Sequence, residues 1–299
     1  MTSRPGLLLA GLVSVTACGG DPPAPAAAPY VLASFYPLTY FANRIAQGTV
    51  EVGCPLPPDT DPVTWRPDRH DVELLQQASL VLINGASFEQ WVDKVSLPQS
   101  RVVDTSRGLT DRLLTYETVT HSHGAGGAHT HTGTDGHTWL DPNNAKVQSR
   151  AVHDALAKAF PAHVAEFAAG LARLDEDLDA LHSEFQAVTA KIGTAAVLAS
   201  HPAYNYLASR YGWQVRDLHL DPGAQPSDAD VEAARAARGS GKAVLLWETE
   251  PTDAMRTTLS ALGVESVVFS PCETTPPAGV DYLAAMRANL QRLAAALDS

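Results

Sequence analysis

From Pro161 to Lys191 the apolar residues Val164, Phe167, Leu171, Leu174, Leu178, Leu181, Phe185 and Val188 recur at alternating steps of three and four, with charged and small residues between them. That spacing places one apolar seam along a helix. Past Pro161 only Gly170 interrupts the run, and roughly 30 residues at about 1.5 Å each make a rod on the order of 45 Å long. Half of an antiparallel coiled coil would need helical flanks, and the flanks here are mixed. Short β-branched runs alternate with amphipathic stretches on both sides, so the pattern predicts two α/β lobes joined by the rod.

The first lobe is predicted to open with a strand over Tyr30–Phe35, a helix ending near Gly48, a strand over Val50–Cys54 and an irregular, proline-rich loop to Arg66. A helix from Asp68 to Gln77, a strand over Leu80–Asn84, a short helix over Phe88–Val95 and a strand over Arg101–Asp104 follow. In the second lobe strands are predicted at Ala195–Ala199, Trp213–Asp217, Ala243–Trp247 and Ser266–Phe269, with helices at Ala203–Tyr211, Asp228–Arg238, Asp253–Leu262 and Val280–Leu297. Alternating strands and helices imply a mostly parallel sheet in each lobe. Such sheets bind ligands beyond the carboxyl ends of their strands. The expected division is 30–160 for the N-terminal lobe, 161–191 for the linking helix and 192–299 for the C-terminal lobe.

The start of the chain reads differently. Arg4, the apolar run Leu7–Val15 and the small residues before Cys18 have the layout of a lipoprotein signal over residues 1–17, with Cys18 as the acylated terminus after cleavage. The apolar run is too short to span a bilayer as a helix. Residues 18–29, rich in Pro and Ala, read as a tether. A formal net charge of −12 argues against nucleic acid or an anionic lipid surface as a partner. The membrane is then reached through the lipid alone. Cys54 and Cys272 remain, and in an exported protein that even remainder suggests one disulfide.

The candidate chemistry lies in histidines. His121, His123, His129 and His131 place four of the chain's eleven histidines in a glycine-rich segment, the start of a loop read as 121–137 and as a mobile collector of metal ions. Neutral imidazole is a good ligand for zinc, copper and nickel. His137, in Asp135-Gly-His-Thr-Trp-Leu-Asp141, stands at the edge of the helix that follows. His201 follows a predicted strand directly, and Glu248 ends another on the same side. A cleft between the lobes would bring His137 and His201 face to face.

Several segments resemble the metal-binding receptors of ABC importers for zinc and manganese, the cluster A-I solute-binding proteins. They are Asp61-Pro62 with Pro67, Ala78–Gly85, Gly136–Pro142, Ser200–Tyr206, Pro226-Ser227 and Asn289–Leu293. The resemblance implies two α/β lobes bridged by a long helix and a metal held between them by four side chains. Two of those ligands match His137 and His201. Where that family has a histidine after Asp-Pro in the first lobe this chain has Val63, and where it has an aspartate after the last strand this chain has Ser270. Asp61 and Glu248 are the first substitutes, with His70, water or a loop imidazole behind them. The thiols of Cys54 and Cys272, close in sequence to the two departures, are ligands only if they stay reduced.

The function expected from all this is a lipid-anchored, monomeric receptor on the outer side of the membrane, handing a divalent metal to an ABC permease. Imidazole at both matching positions favours zinc over manganese, which prefers carboxylate and water. The alternatives are a receptor whose degenerate site takes another small solute or a partner protein, and a zinc hydrolase with Glu248 as base. No His-Glu-Xaa-Xaa-His, Gly-Xaa-Ser-Xaa-Gly or phosphate-loop motif supports an enzyme.

Overall fold

The computed structural model describes residues 30–122 and 128–299, and for 116–122 and 128–132 the backbone only. The signal segment 1–17, Cys18, the tether, His123 and the side chains of His121, His129 and His131 lie outside the described residues. The first sheet holds β1 (Tyr30–Ala33), β2 (Glu51–Gly53), β3 (Leu80–Ile83) and β4 (Val102–Asp104), all parallel in the order β2-β1-β3-β4. Helix α1 (Tyr36–Ala46) joins β1 to β2, and α2 (Arg69–Gln77) precedes β3. A capping box between Asp68 and Asp71 starts α2.

After β4 the chain forms an antiparallel ribbon of β5 (Thr115–Ser122) and β6 (Ala128–Thr134), whose backbone register pairs His121 with His129 and Val119 with His131. Over the described residues the expected loop is paired strand. The run of Thr and Val at 118–120 and the alternating Thr130, Thr132 and Thr134 favour extended backbone despite the nearby glycines. Helix α3 (Pro142–Ala159) follows, with the Asp141 side chain capping its first turn.

The seam predicts the central element closely: α4 runs from Val164 to Ile192 after a short 3-10 turn at Pro161–His163. Phe167, Leu171, Leu174, Leu178, Leu181 and Phe185 are buried, whereas Val164 at the start of the helix is 44% exposed. The second sheet holds β7 (Ala196–Ala199), β8 (Val215–Asp217), β9 (Ala243–Trp247) and β10 (Val264–Val268), parallel in the order β10-β9-β7-β8. Its helices are α5 (Asn205–Tyr211), α6 (Asp228–Arg238), α7 (Asp253–Ala261) and α8 (Tyr282–Asp298). Two α/β lobes bridged by one long helix are therefore the architecture.

The short helix predicted at Phe88–Val95 shrinks to a single 3-10 turn at Val92–Lys94. The Glu89 carboxylate turns back to accept from Asn84 N (2.6 Å), Gly85 N (3.1 Å) and Ser34 Oγ (2.5 Å), and folds the chain against the end of β3. Three donors from two strand ends outweigh helix propensity there.

One core runs through both lobes. Val31 and Leu82 of the first sheet with Phe35 just past β1, the α4 seam, and Val197 and Leu246 of the second sheet with Phe269 just past β10 belong to one buried cluster. Helices α1, α3 and α8 pack along α4. The approach of α1 is set by Gly170, where a Cβ would stand 2.5 Å from the Ile45 carbonyl oxygen and 2.8 Å from that of Arg44. Backbone cannot yield as a side chain can. We expect Gly170→Ala to destabilise the chain by about 1–3 kcal/mol through this overpacking, read as a lower midpoint in denaturant unfolding; an unchanged midpoint would show that α1 can move off α4 freely.

Candidate metal centre

Every strand of the second sheet delivers a polar side chain at its carboxyl end. His201 follows β7, Asp217 ends β8 and Glu248 follows β9. Glu273 lies on the crossing segment after β10. Phe269 N continues the β9 ladder to Trp247 O (2.7 Å), after which Ser270 is pinned by Asn289 of α8 and Tyr36 N donates to Glu273 O (3.4 Å). That segment thus leaves its own lobe and ties to the first.

From the first lobe comes His137. Asn84, beyond β3, donates from Nδ2 to the carbonyl of Gly136 (2.8 Å), and through Oδ1 it accepts from Thr138 and Gln148 of α3. This buried network fixes the backbone on both sides of the imidazole. Asp135, fully buried, accepts through Oδ1 from His137 N (2.9 Å) and lies 2.8 Å from His137 Nδ1. A carboxylate on one ring nitrogen settles the tautomer and presents the other nitrogen as a ligand.

His137 Nε2 lies 3.1 Å from Glu273 Oε1, and His201 Nε2 lies against Glu248 Oε1. The two rings face each other edge to face with centres 6.3 Å apart. The donors stand as two imidazole–carboxylate pairs, and among the described residues no set of three or more His, Cys, Asp or Glu side chains is gathered as a ready metal cage. Burial by itself would pull the His137 imidazole down, but the Asp135 and Glu273 carboxylates outweigh it and push it up to about 10. Raised in this way, the His137 imidazole keeps its proton at neutral pH beside both carboxylates. At the outer edge, burial also pushes Asp217 up to about 6.

This geometry has relatives. Residues 31–296 match the family described as the zinc-uptake complex component A, periplasmic. The chain belongs to that family. It is 28% identical over 275 residues to the zinc-binding lipoprotein AdcA of Streptococcus pneumoniae, covering 88% of this chain and 54% of that protein. It is 24% identical to the high-affinity zinc uptake system protein ZnuA of Bacillus subtilis, covering 88% of this chain and 86% of that protein. The crystal structure of the metal-dependent lipoprotein YcdH of Bacillus subtilis has the same fold, with a TM-score of 0.76 at 22% identity over 89% of this chain and 98% of that one. The chain spans about half the length of several of the curated relatives it matches.

As a zinc-uptake component A chain, it departs from its motifs at places the structure makes plain. Val63 is buried in the main core, so the first lobe offers no imidazole there. Asp61 Oδ1 accepts from Val63 N (2.8 Å), and Oδ2 from Thr64 Oγ1 (3.1 Å), at the turn of its own loop. His70 is exposed on the first turn of α2. The Ser270 hydroxyl accepts from Cys272 N (3.2 Å), and the carboxylate expected at Ser270 arrives from Glu273, three residues on. Sequence reasoning passed over Glu273. The signal was an acid two residues beyond Pro271 in a segment already singled out.

The expected disulfide is not formed: Cys54 and Cys272 are both free thiols. Cys272 is buried in the main core with φ at 63°, and burial there pushes its thiol up to about 12. Cys54, at the edge of the first sheet, is also raised by burial and bonds to Thr39. Each thiol is engaged at its own place in the packing, and burial keeps both protonated, which disfavours them as ligands.

The His137 arrangement carries a pH signature in the chain without metal. Its folded-state value, about 10, stands above the ordinary 6.5, so the native form binds the proton more tightly than the unfolded one. That stabilisation is fully present below about 6.5 and is lost as pH rises through about 10. We expect the stability of the chelator-treated protein to fall across this window by up to about 1.4 kcal/mol per pH unit, and His137→Gln to flatten the slope. Denaturant titrations at stepped pH read both; parallel slopes for parent and variant would contradict the assignment.

Proposed function

We propose that this chain is an extracytoplasmic solute-binding protein that takes a divalent transition metal, zinc first, between its two lobes and passes it to the permease of an ABC importer. The observation that carries this reading is the meeting of His137 and His201 across the cleft, each with a carboxylate on its ligating nitrogen. Two imidazoles and two carboxylates are a donor set suited to a four-coordinate zinc ion at roughly 2.0–2.2 Å. Family membership and the zinc-binding names of the relatives point the same way.

The ligands in this reading are His137, His201, Glu248 and Glu273, with Asp61 retained as a first-lobe substitute. Manganese, which favours oxygen donors, ranks second. His121, His123, His129 and His131 serve as an auxiliary collector upstream of the cleft. The carboxylates are paired with imidazoles, which suits a cargo site better than a hydrolase needing an unengaged base. A receptor with a degenerate site, taking another small solute or a partner protein, is the second reading; buried Val63 in place of a ligand favours it, and Glu273 argues against it.

The deciding measurement is a zinc titration of the mature protein, with residues 121–131 deleted to remove their background. We expect one tight site, a loss of 10- to 1,000-fold in affinity for His137→Ala, His201→Ala and Glu273→Ala (an order-of-magnitude range for losing one of four ligands), and release of about one proton per ion at pH 7.5 from His137. Should all three variants bind as tightly as the parent, the cleft serves some other ligand.

The location follows from the leader. No helix among the described residues is long and apolar enough to cross a membrane, and the reading places attachment at an acylated Cys18. Cys18→Ser is expected to move the protein from the membrane to the soluble fraction on cell fractionation, and unchanged partition would remove the anchor from the proposal.

A further inference from the structure

At one further place the second lobe grips the first, close to the metal centre but outside its ligands. Asn205 Nδ2 donates to Asp135 Oδ2 at 3.0 Å, and Tyr206 OH donates to the Asp135 carbonyl at 2.8 Å. The same hydroxyl accepts from Leu114 N at 3.2 Å, and Asp135 N donates to Leu114 O at 2.7 Å, so Tyr206 closes both ends of the ribbon root at once. Arg210 Nε adds a bond to Asp141 Oδ2 at 2.8 Å. All three gripping residues lie on α5, which begins four residues after His201.

Asp135 is the hinge of this arrangement. One carboxylate oxygen holds the His137 ring and the other takes the Asn205 amide. The orientation of a first-lobe imidazole is therefore set from the second lobe. Apolar packing does not do this work at the outer edge: a cavity of about 840 Å³ lies beside the grip, with Leu114, Asp141, Tyr206 and Arg210 in its wall. Polar bonds hold the lobes together here, at the border of that cavity.

We propose that Asn205 and Tyr206 are positioning residues for metal retention, a clamp that locks Asp135, and through it His137, only while the lobes are closed. Opening the cleft breaks the two bonds to Asp135 and loosens His137 before the ion has left His201. Release is then coupled to lobe separation twice, through the distance between the imidazoles and through the support of one of them. The clamp sets how long the ion stays. It does not set how fast the ion enters, because entry precedes closure.

This inference rests on the reading of the cleft as a metal site, and the test keeps the two apart. Zinc dissociation into excess chelator and zinc association are followed by stopped flow for the parent lacking residues 121–131, and for Asn205→Leu and Tyr206→Phe in that background. Losing the direct partner of a ligating histidine typically costs about 10- to 100-fold in metal affinity; Asn205 and Tyr206 act one bond further out, through Asp135, so we expect a loss toward the lower end of that range, appearing as faster dissociation with association within about twofold of the parent. Asn205→Gln, which keeps a donor amide, should recover part of the residence time. Dissociation at the parental rate in both Asn205→Leu and Tyr206→Phe would overturn the clamp, as would equal changes in association and dissociation, the mark of a merely structural role. If the parent binds no zinc, the proposed function falls by itself. The clamp is then decided by small-angle X-ray scattering of the metal-free chains, where it requires a larger radius of gyration in both variants and fails if theirs equals the parent's.

Discussion

The lobes depend on one constraint: the apolar seam of α4 must be covered along its length, and helices from both lobes share that cover. Each fully buried Leu or Phe contributes about 1.5–3 kcal/mol, and Phe167, Leu171, Leu174, Leu178, Leu181 and Phe185 are all buried. Helices α1 and α3 cover part of the seam and α8 another part. The result is a single core cluster with members from both sheets. A protein built this way can flex at the cleft, while separating the lobes altogether would expose the seam.

Around that spine the contacts between lobes fall into two kinds. Behind the histidines they are dense and largely aromatic. Tyr282 packs on Phe41 and Tyr40 and donates to the Trp139 carbonyl at 2.7 Å, while Trp139 Nε1 donates to the Pro271 carbonyl at 2.8 Å. At the α5 edge they are polar and border a cavity. Dispersion contacts between close-packed groups are lost abruptly with separation, whereas hydrogen bonds can be handed to water at small net cost. The cleft therefore has a stiff side and an exchangeable one.

Much of this was legible along the chain. The seam of α4, the alternation of strands with helices, and the strand-end placement of His201 and Glu248 all followed from period and punctuation. What escaped was set by contacts distant in sequence. Glu89 cancels a helix by folding back on Asn84 and Gly85. Glu273 reaches His137 only because the segment after β10 crosses to the first lobe, and nothing local in Cys272-Glu273 announces that crossing. The free state of Cys54 and Cys272 is of the same kind, since an even cysteine count says nothing of where packing places each thiol.

The backbone bond from Tyr36 to Glu273 has a consequence for charge when the cleft opens. Glu273 belongs to the second lobe by sequence, yet its anchorage keeps its carboxylate beside His137, while His201 keeps Glu248. The site therefore divides into two halves, each with an imidazole facing a carboxylate, and the first half keeps Asp135 behind its ring as well. Each face of the opened cleft then keeps an acid beside its own imidazole, so neither histidine depends on the other lobe for that partner.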